Sequence, residues 1–215
     1  MRQPVAPVRK EPTLPAEAGG NSFVWEDMRY PDPIALPNSV THGRARGPLA
    51  MPGKYKVQLT VDGKTYTQEF DIIKDPRIET TPDEFKQQFD MLIKIRERIN
   101  ELRNGVLTIR QLRQQLDSTY HSPDDPAVKE LKDKLLRIED ELYQYRAKAT
   151  QDLTNHPVRL NTKFTALEGF VESDDSKPTQ QQSDQYNSLS KKLADQLKAL
   201  DNLKPAIQNK LRPNG

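Results

Sequence analysis

The chain has 215 residues, 34% of them hydrophobic and 30% charged, which is lean for one thick core and suits an elongated protein whose elements each bury one face. Its 33 Lys and Arg nearly cancel 31 Asp and Glu, and the first 80 residues carry 11 basic and 10 acidic side chains, so neither half is a basic arm and nucleic acid is excluded as the main partner. There is no cysteine, which removes disulfides, thiolate zinc sites and cysteine catalysis together, and no run of about 18 apolar residues that would form a transmembrane helix.

Nine of the 17 prolines lie in the first 53 residues. Residues 1–20 therefore read as an extended, proline-rich arm, either a free leader or a strap laid along a partner. Met1-Arg2-Gln3-Pro4 has no apolar core and is not a signal peptide as it stands. Either the protein stays inside, or the chain is a mature or truncated form.

Residues 21–78 read as β. Lys54 to Val61 alternates, with Tyr55, Val57, Leu59 and Val61 on one face. Asp62-Gly63 is a tight hairpin signal, because both residues tolerate positive φ. The return strand, Thr65 to Ile73, puts Tyr66, Phe70 and Ile72 on a common face, and Phe23-Val24-Trp25 reads as one further short strand. Three or four strands fall short of a sandwich, which normally takes about seven. The missing strands come from outside the chain, or the helices cover the apolar face.

From residue 80 to 212 the period lengthens to that of helices. Thr81-Pro82-Asp83-Glu84 is a capping box. It opens a long amphipathic helix carrying Phe85, Phe89, Leu92, Ile95, Ile99, Leu102, Val106, Ile109, Leu112 and Leu116, interrupted by Gly105 at a cost of about 1 kcal/mol against alanine. Asp125-Pro126 caps the next, whose apolar seam continues through Leu142 to Tyr145 and Ala149. A shorter helix carries Leu160, Phe164, Leu167 and Phe170. Thr179 and Gln182 open the last, which Pro205 is expected to kink or stop. The fold class is thus α+β: a small, incomplete, antiparallel immunoglobulin-like β-sandwich followed by an elongated antiparallel three- to four-helix bundle.

Chemistry is hard to place on this chain. His42, His121 and His156 each fall in an expected loop with no ligand spacing, so no metal and no cofactor are expected. Asp125 caps a helix, and Glu139 to Glu141 are expected mostly on a polar face. The basic set Lys94, Arg96, Arg98, Arg103, Arg110 and Arg113 is interleaved with Glu97 and Glu101, as on a solvated helix face. No nucleophile-elbow, phosphate-loop, dinucleotide-binding or zinc-helix motif occurs. The residues singled out as structural core or as interaction candidates are Phe23, Trp25, Arg29, Tyr30, Tyr55 and Phe70. Trp25 is read as a core plug rather than a platform for a sugar ring, and Arg29 and Asp32 as braces of the following loop.

Two stretches carry a resemblance. Asn21-Ser22-Phe23-Val24-Trp25-Glu26-Asp27-Met28-Arg29-Tyr30-Pro31 leads to a run from Arg46-Gly47-Pro48 through Met51-Pro52-Gly53-Lys54-Tyr55 to Val61-Asp62-Gly63, followed by Asp75-Pro76-Arg77. Together they resemble the C-terminal region of bacterial sortilin-like, BNR-repeat β-propeller proteins, in which such segments precede a long helical tail. The resemblance spans roughly residues 10 to 205, with Ser22 where the family has arginine, the Trp25-to-Arg29 stretch one residue longer, and the propeller absent. It implies an immunoglobulin-like domain with part of its sandwich missing. It also implies the cell envelope, on the periplasmic or extracellular side, while a cytoplasmic adaptor stays open. A glycan-related activity would belong to the propeller and does not transfer.

The expected function is that of a non-catalytic interaction module, an accessory subunit bracing a larger envelope complex. Its partners would be other proteins, with no direct membrane span and no small-molecule ligand. The rival reading is a carbohydrate-binding or ancillary piece of a propeller hydrolase-like protein.

Overall fold

The computed structural model describes residues 28–37, 39–41, 43–119 and 125–211. They form an α+β molecule in which a two-stranded antiparallel sheet precedes four helices. Strand β1 (Gly53–Val61) returns through Asp62-Gly63, at φ 49 and 76, into β2 (Lys64–Ile72). Tyr55 stands opposite Phe70 and Leu59 opposite Tyr66, so the expected apolar faces of the two strands coincide. The other face carries cross-strand pairs, Lys54 with Asp71 and Lys56 with Glu69.

The remainder of the expected β region is corrected. Among the described residues of 28–50 there is no strand, only the isolated bridge Arg29 to Leu49, because Pro31, Pro33, Pro37 and Pro48 cannot donate to a ladder. The expected strand Phe23 to Trp25 and the arm of residues 1–20 lie outside the described residues.

The helices are α1 (Pro82–Thr119), α2 (Pro126–Leu142), α3 (Leu160–Val171) and α4 (Gln180–Leu211), with a 3-10 turn at Gln151–Asn155. Three expected caps form. Thr81 N–H donates to Glu84 Oε2 at 3.0 Å and Glu84 N–H to Thr81 Oγ1 at 3.3 Å. Thr179 and Gln182 exchange the same pair of bonds at 2.8 and 3.2 Å. Asp125 Oδ1 accepts from the N–H groups of Ala127 and Val128, satisfying donors that a helix start leaves unpaired.

Two helix ends depart from expectation. The seam read through Ala149 stops at Leu142, where Tyr143 turns extended and buries its ring. Pro205 does not stop α4, which continues to Leu211; Ile207, fully buried two residues later, holds that last turn on the core.

Side-chain contacts fix the helix directions. Arg110 meets Glu139 and Lys132 meets Asp117, so α2 runs against the second half of α1. Arg103 meets Asn161 and Gln88 reaches the Val171 carbonyl, so α3 runs against the first half. Helix α4 runs with α1: Lys177 at its start pairs with Glu84, a Cβ on Gly105 would touch Leu197 midway, and Lys210 at its end pairs with Asp125. The two short helices thus follow one another along a pair of long ones. One core joins all four, built on Ile95, Ile99, Leu102, Ile109, Leu135, Leu142, Phe164, Leu189 and Leu193. Phe170, expected on the apolar stripe of α3, is instead 66% exposed.

Candidate interaction surface

The described residues between 28 and 50 form a clasp that lies on the helices. A loop of this kind has backbone groups to satisfy without a ladder, and side chains of distant helices do it. Ile34 N–H donates to Asn100 Oδ1 at 2.9 Å and Arg103 Nη1 donates to the Ile34 carbonyl at 2.7 Å, both from α1. Tyr143 Oη donates to the Val40 carbonyl at 3.1 Å, and Arg46 N–H to Glu168 Oε1 of α3 at 2.7 Å. Leu36 and Ala45 enter the helical core. These contacts cross the division expected near residue 80.

The clasp is closed on itself by Asp32. Its Oδ1 accepts from Gly47 N–H at 2.9 Å and its Oδ2 from Arg44 at 2.7 Å. Arg29 Nη1 donates to the Gly47 carbonyl at 2.9 Å and to Glu172 Oε1 at 2.6 Å. Both residues brace this loop.

The expected site residues fall in two places. Tyr30 sets its ring edge-on to Phe89 of α1 at 4.9 Å, beside Arg29. Tyr55 and Phe70 stack across the hairpin at 5.8 Å, and Tyr55 Oη donates to the Met51 carbonyl at 2.8 Å. Burial pushes both tyrosine hydroxyls above their ordinary value, Tyr55 further through its neighbour Tyr30. Phe23 and Trp25 lie outside the described residues.

Sequence reading missed the buried carboxylates. Glu139, expected on a polar face, is 2% exposed and takes Arg110 Nε at 2.8 Å and Arg113 Nη1 at 3.1 Å. The basic set of α1 is therefore no simple solvated face: Arg96 is buried, and Arg103, Arg110 and Arg113 tie α1 to other elements. Glu168 is 6% exposed and its Oε2 has no hydrogen-bond partner. Burial, with Glu172 nearby, pushes its carboxyl up to about 7 against the Arg46 N–H and the charges of Arg103 and Arg29. Both acids sit four residues after a core position, Leu135 and Phe164, and that spacing was the available signal.

The hairpin takes no part in this network. Val57 is 54%, Leu59 51% and Tyr66 59% exposed, on one continuous face with Val61 and Phe70. Among the described residues neither a helix nor another strand covers it. At its root, Leu49, Met51, Ile73, Phe85 and Phe89 line an open apolar cleft against α1. Contiguous exposed apolar area of this kind is uncommon on a folded surface, and a two-stranded hairpin is marginal in water without a covering layer.

No group of three or more His, Asp or Glu that could hold a metal ion occurs among the described residues. No helix there is long and apolar enough to cross a membrane. No family model, no curated protein and no solved structure matches the chain.

Proposed function

We propose that the chain is a non-catalytic interaction module, an accessory subunit that braces a larger cell-envelope protein complex on its periplasmic or extracellular side. The observation that carries this reading is the apolar face of the hairpin, which no helix or other strand covers among the described residues, held on a helical body with one continuous buried core. In this reading the hairpin is part of an immunoglobulin-like sandwich whose remaining layer is supplied by a partner protein. The helices form an elongated bundle, the two long ones parallel and the two short ones running against them, that holds the hairpin at one end. The resemblance to the tail of sortilin-like propeller proteins supports the envelope location.

The test compares the wild-type chain with Val57→Lys/Leu59→Lys in a mild-detergent pull-down from native cells, followed by mass spectrometry. Both positions are about half exposed, so the variant keeps its thermal transition. The expected result is a stable set of envelope proteins retained by the wild type and lost by the variant. A wild-type chain recovered by itself and monomeric would overturn the bracing role.

A further inference from the structure

The hairpin has one clear edge. Its two-residue turn makes Val61 and Lys64 the hydrogen-bonded pair that closes it. Bonded and non-bonded pairs alternate from there, so the even-numbered residues of β2 bond inward to β1. The N–H and C=O groups of Thr65, Thr67, Glu69 and Asp71 face outward, where no strand pairs with them among the described residues. Among those residues helix α1 meets the hairpin only at its root, beside Ile72. The other edge is less open: the chain leading into β1 is held by the Arg29–Leu49 bridge, with Ala50 N–H donating to the Met28 carbonyl at 2.7 Å.

An open edge is a template for another strand, and β2 is complementary to itself. Two copies related by a two-fold axis through Gln68 pair all nine residues of β2, with Lys64 opposite Ile72 at the ends. Thr65 then stands opposite Asp71 and Thr67 opposite Glu69, and these outward-facing residues are the bonded pairs. Tyr66 stands opposite Phe70 on both sides of the axis, in non-bonded pairs, where side chains come closest. Both rings are exposed in the single chain. The charges agree with this register. Each acid meets a threonine of the copy, and each is already joined to a lysine of its own β1, Asp71 to Lys54 at 3.3 Å and Glu69 to Lys56 at 3.0 Å. Other registers fail. A slip of one residue sets outward groups against inward ones and turns the rings to the charged face. A slip that moves the axis to Glu69 puts that acid opposite itself, and one that moves it to Thr67 leaves Tyr66 opposite Gln68 and Phe70 opposite Lys64.

We infer that the outer edge of β2 is a homodimer interface, at which a second copy adds its own β2 antiparallel to make one four-stranded sheet in the order β1–β2–β2–β1. Such a sheet has the strand count that a lone hairpin lacks for stability in water. The same patch serves both copies, so pairing at this edge closes at two. The two hairpins turn their apolar faces the same way, and Val57, Leu59 and Tyr66 of both copies form one surface of twice the width. This inference stands apart from the proposed function: the partner there covers the face of the hairpin, whereas the second copy takes its edge.

Amide hydrogen exchange on the full chain, followed as protein concentration rises, tests it. The amides of Thr65, Thr67, Glu69 and Asp71 should slow by about tenfold between a monomeric and a dimeric sample, while those of Lys54, Lys56, Gln58 and Thr60 should not. Rates that ignore concentration would overturn the inference, as would slowing at the β1 amides instead. Thr67→Pro removes an outward N–H and no inward bond. It should abolish the concentration dependence of the sedimentation coefficient while the helical core keeps its thermal transition, and a variant that still dimerises would overturn the edge. Because the chain has no cysteine, a single one reads the register. Gln68→Cys faces its own copy across a non-bonded pair, about 4.5 Å between Cα atoms, within reach of a disulfide. It should oxidise to a covalent dimer at least about tenfold faster than Val57→Cys, on the same face of β1, because only the first is held beside its copy. Equal rates, or a faster Val57→Cys, would overturn the inference.

Discussion

A Cβ built on Gly47 would stand 1.7 Å from the Tyr30 carbonyl oxygen and 2.7 Å from that of Pro31. Both are backbone atoms of the opposite arm of the clasp, so nothing soft can yield. Gly47→Ala is expected to cost about 1–3 kcal/mol, as overpacking does, read as a lower denaturant midpoint. Gly105 makes the contrast: its added Cβ would meet Leu197 Cδ2 at 2.8 Å, the end of a flexible side chain. A gain of about 1 kcal/mol in helix propensity offsets that contact, so Gly105→Ala should leave stability within about 1 kcal/mol. Glu168 supplies a pH dependence. Its carboxyl is held at about 7 in the fold against an ordinary 4.5, so the folded state binds the extra proton. The stabilisation is complete below 4.5 and is lost as pH rises to about 7, amounting to at most about 3 kcal/mol. Glu168→Gln should flatten thermal stability between pH 5 and pH 8, with the variant the more stable at pH 8. An unchanged pH slope would show that another group titrates there.

At the scale of elements, α1 is held to α2 by Glu139 between two guanidinium groups. Removing the cations strands a carboxylate that is 2% exposed. Arg110→Ala/Arg113→Ala is expected to cost about 3–5 kcal/mol, more than Glu139→Gln, in equilibrium unfolding. In α4, Pro205 deprives the Asp201 carbonyl of its helical donor, and an interior proline costs about 3 kcal/mol. Pro205→Ala should raise stability by about 1–3 kcal/mol; a loss would mean that the proline sets the path that seats Ile207. What was legible here follows from distance along the chain. The caps at Thr81, Asp125 and Thr179 close within three residues, and the hairpin within two, so their residue types declare them. The pairing of Glu139 with α1 spans 29 and 26 residues, and nothing local distinguishes it from a solvated acid except its place on the stripe. The clasp was less legible still. Its backbone partners, Asn100, Arg103 and Glu168, lie 66 to 122 residues away, and its proline-rich sequence has no period to announce them.

For the molecule as a whole, the clasp and the helices share a core while the hairpin stands off it. Exchange should accordingly separate two classes of amide. Those of Ile34, Arg46 and Gly47 should open with the helical core, and those of β2 through a local event of lower free energy. Equal protection of both would show that the hairpin is covered. The direction of the two long helices has a mechanical consequence. The hairpin enters α1 at Pro82, where α4 begins, and α4 ends at Leu211 beside the start of α2. With α1 about 57 Å long at 1.5 Å per residue, a pull between the hairpin and Leu211 acts along two parallel rods from opposite ends. Such a load falls on the α1–α4 seam in shear, with the buried α4 side chains of the shared core, Leu189, Leu193 and Leu200, loaded together rather than peeled one at a time, and the molecule would bear tension along its length far better than across it.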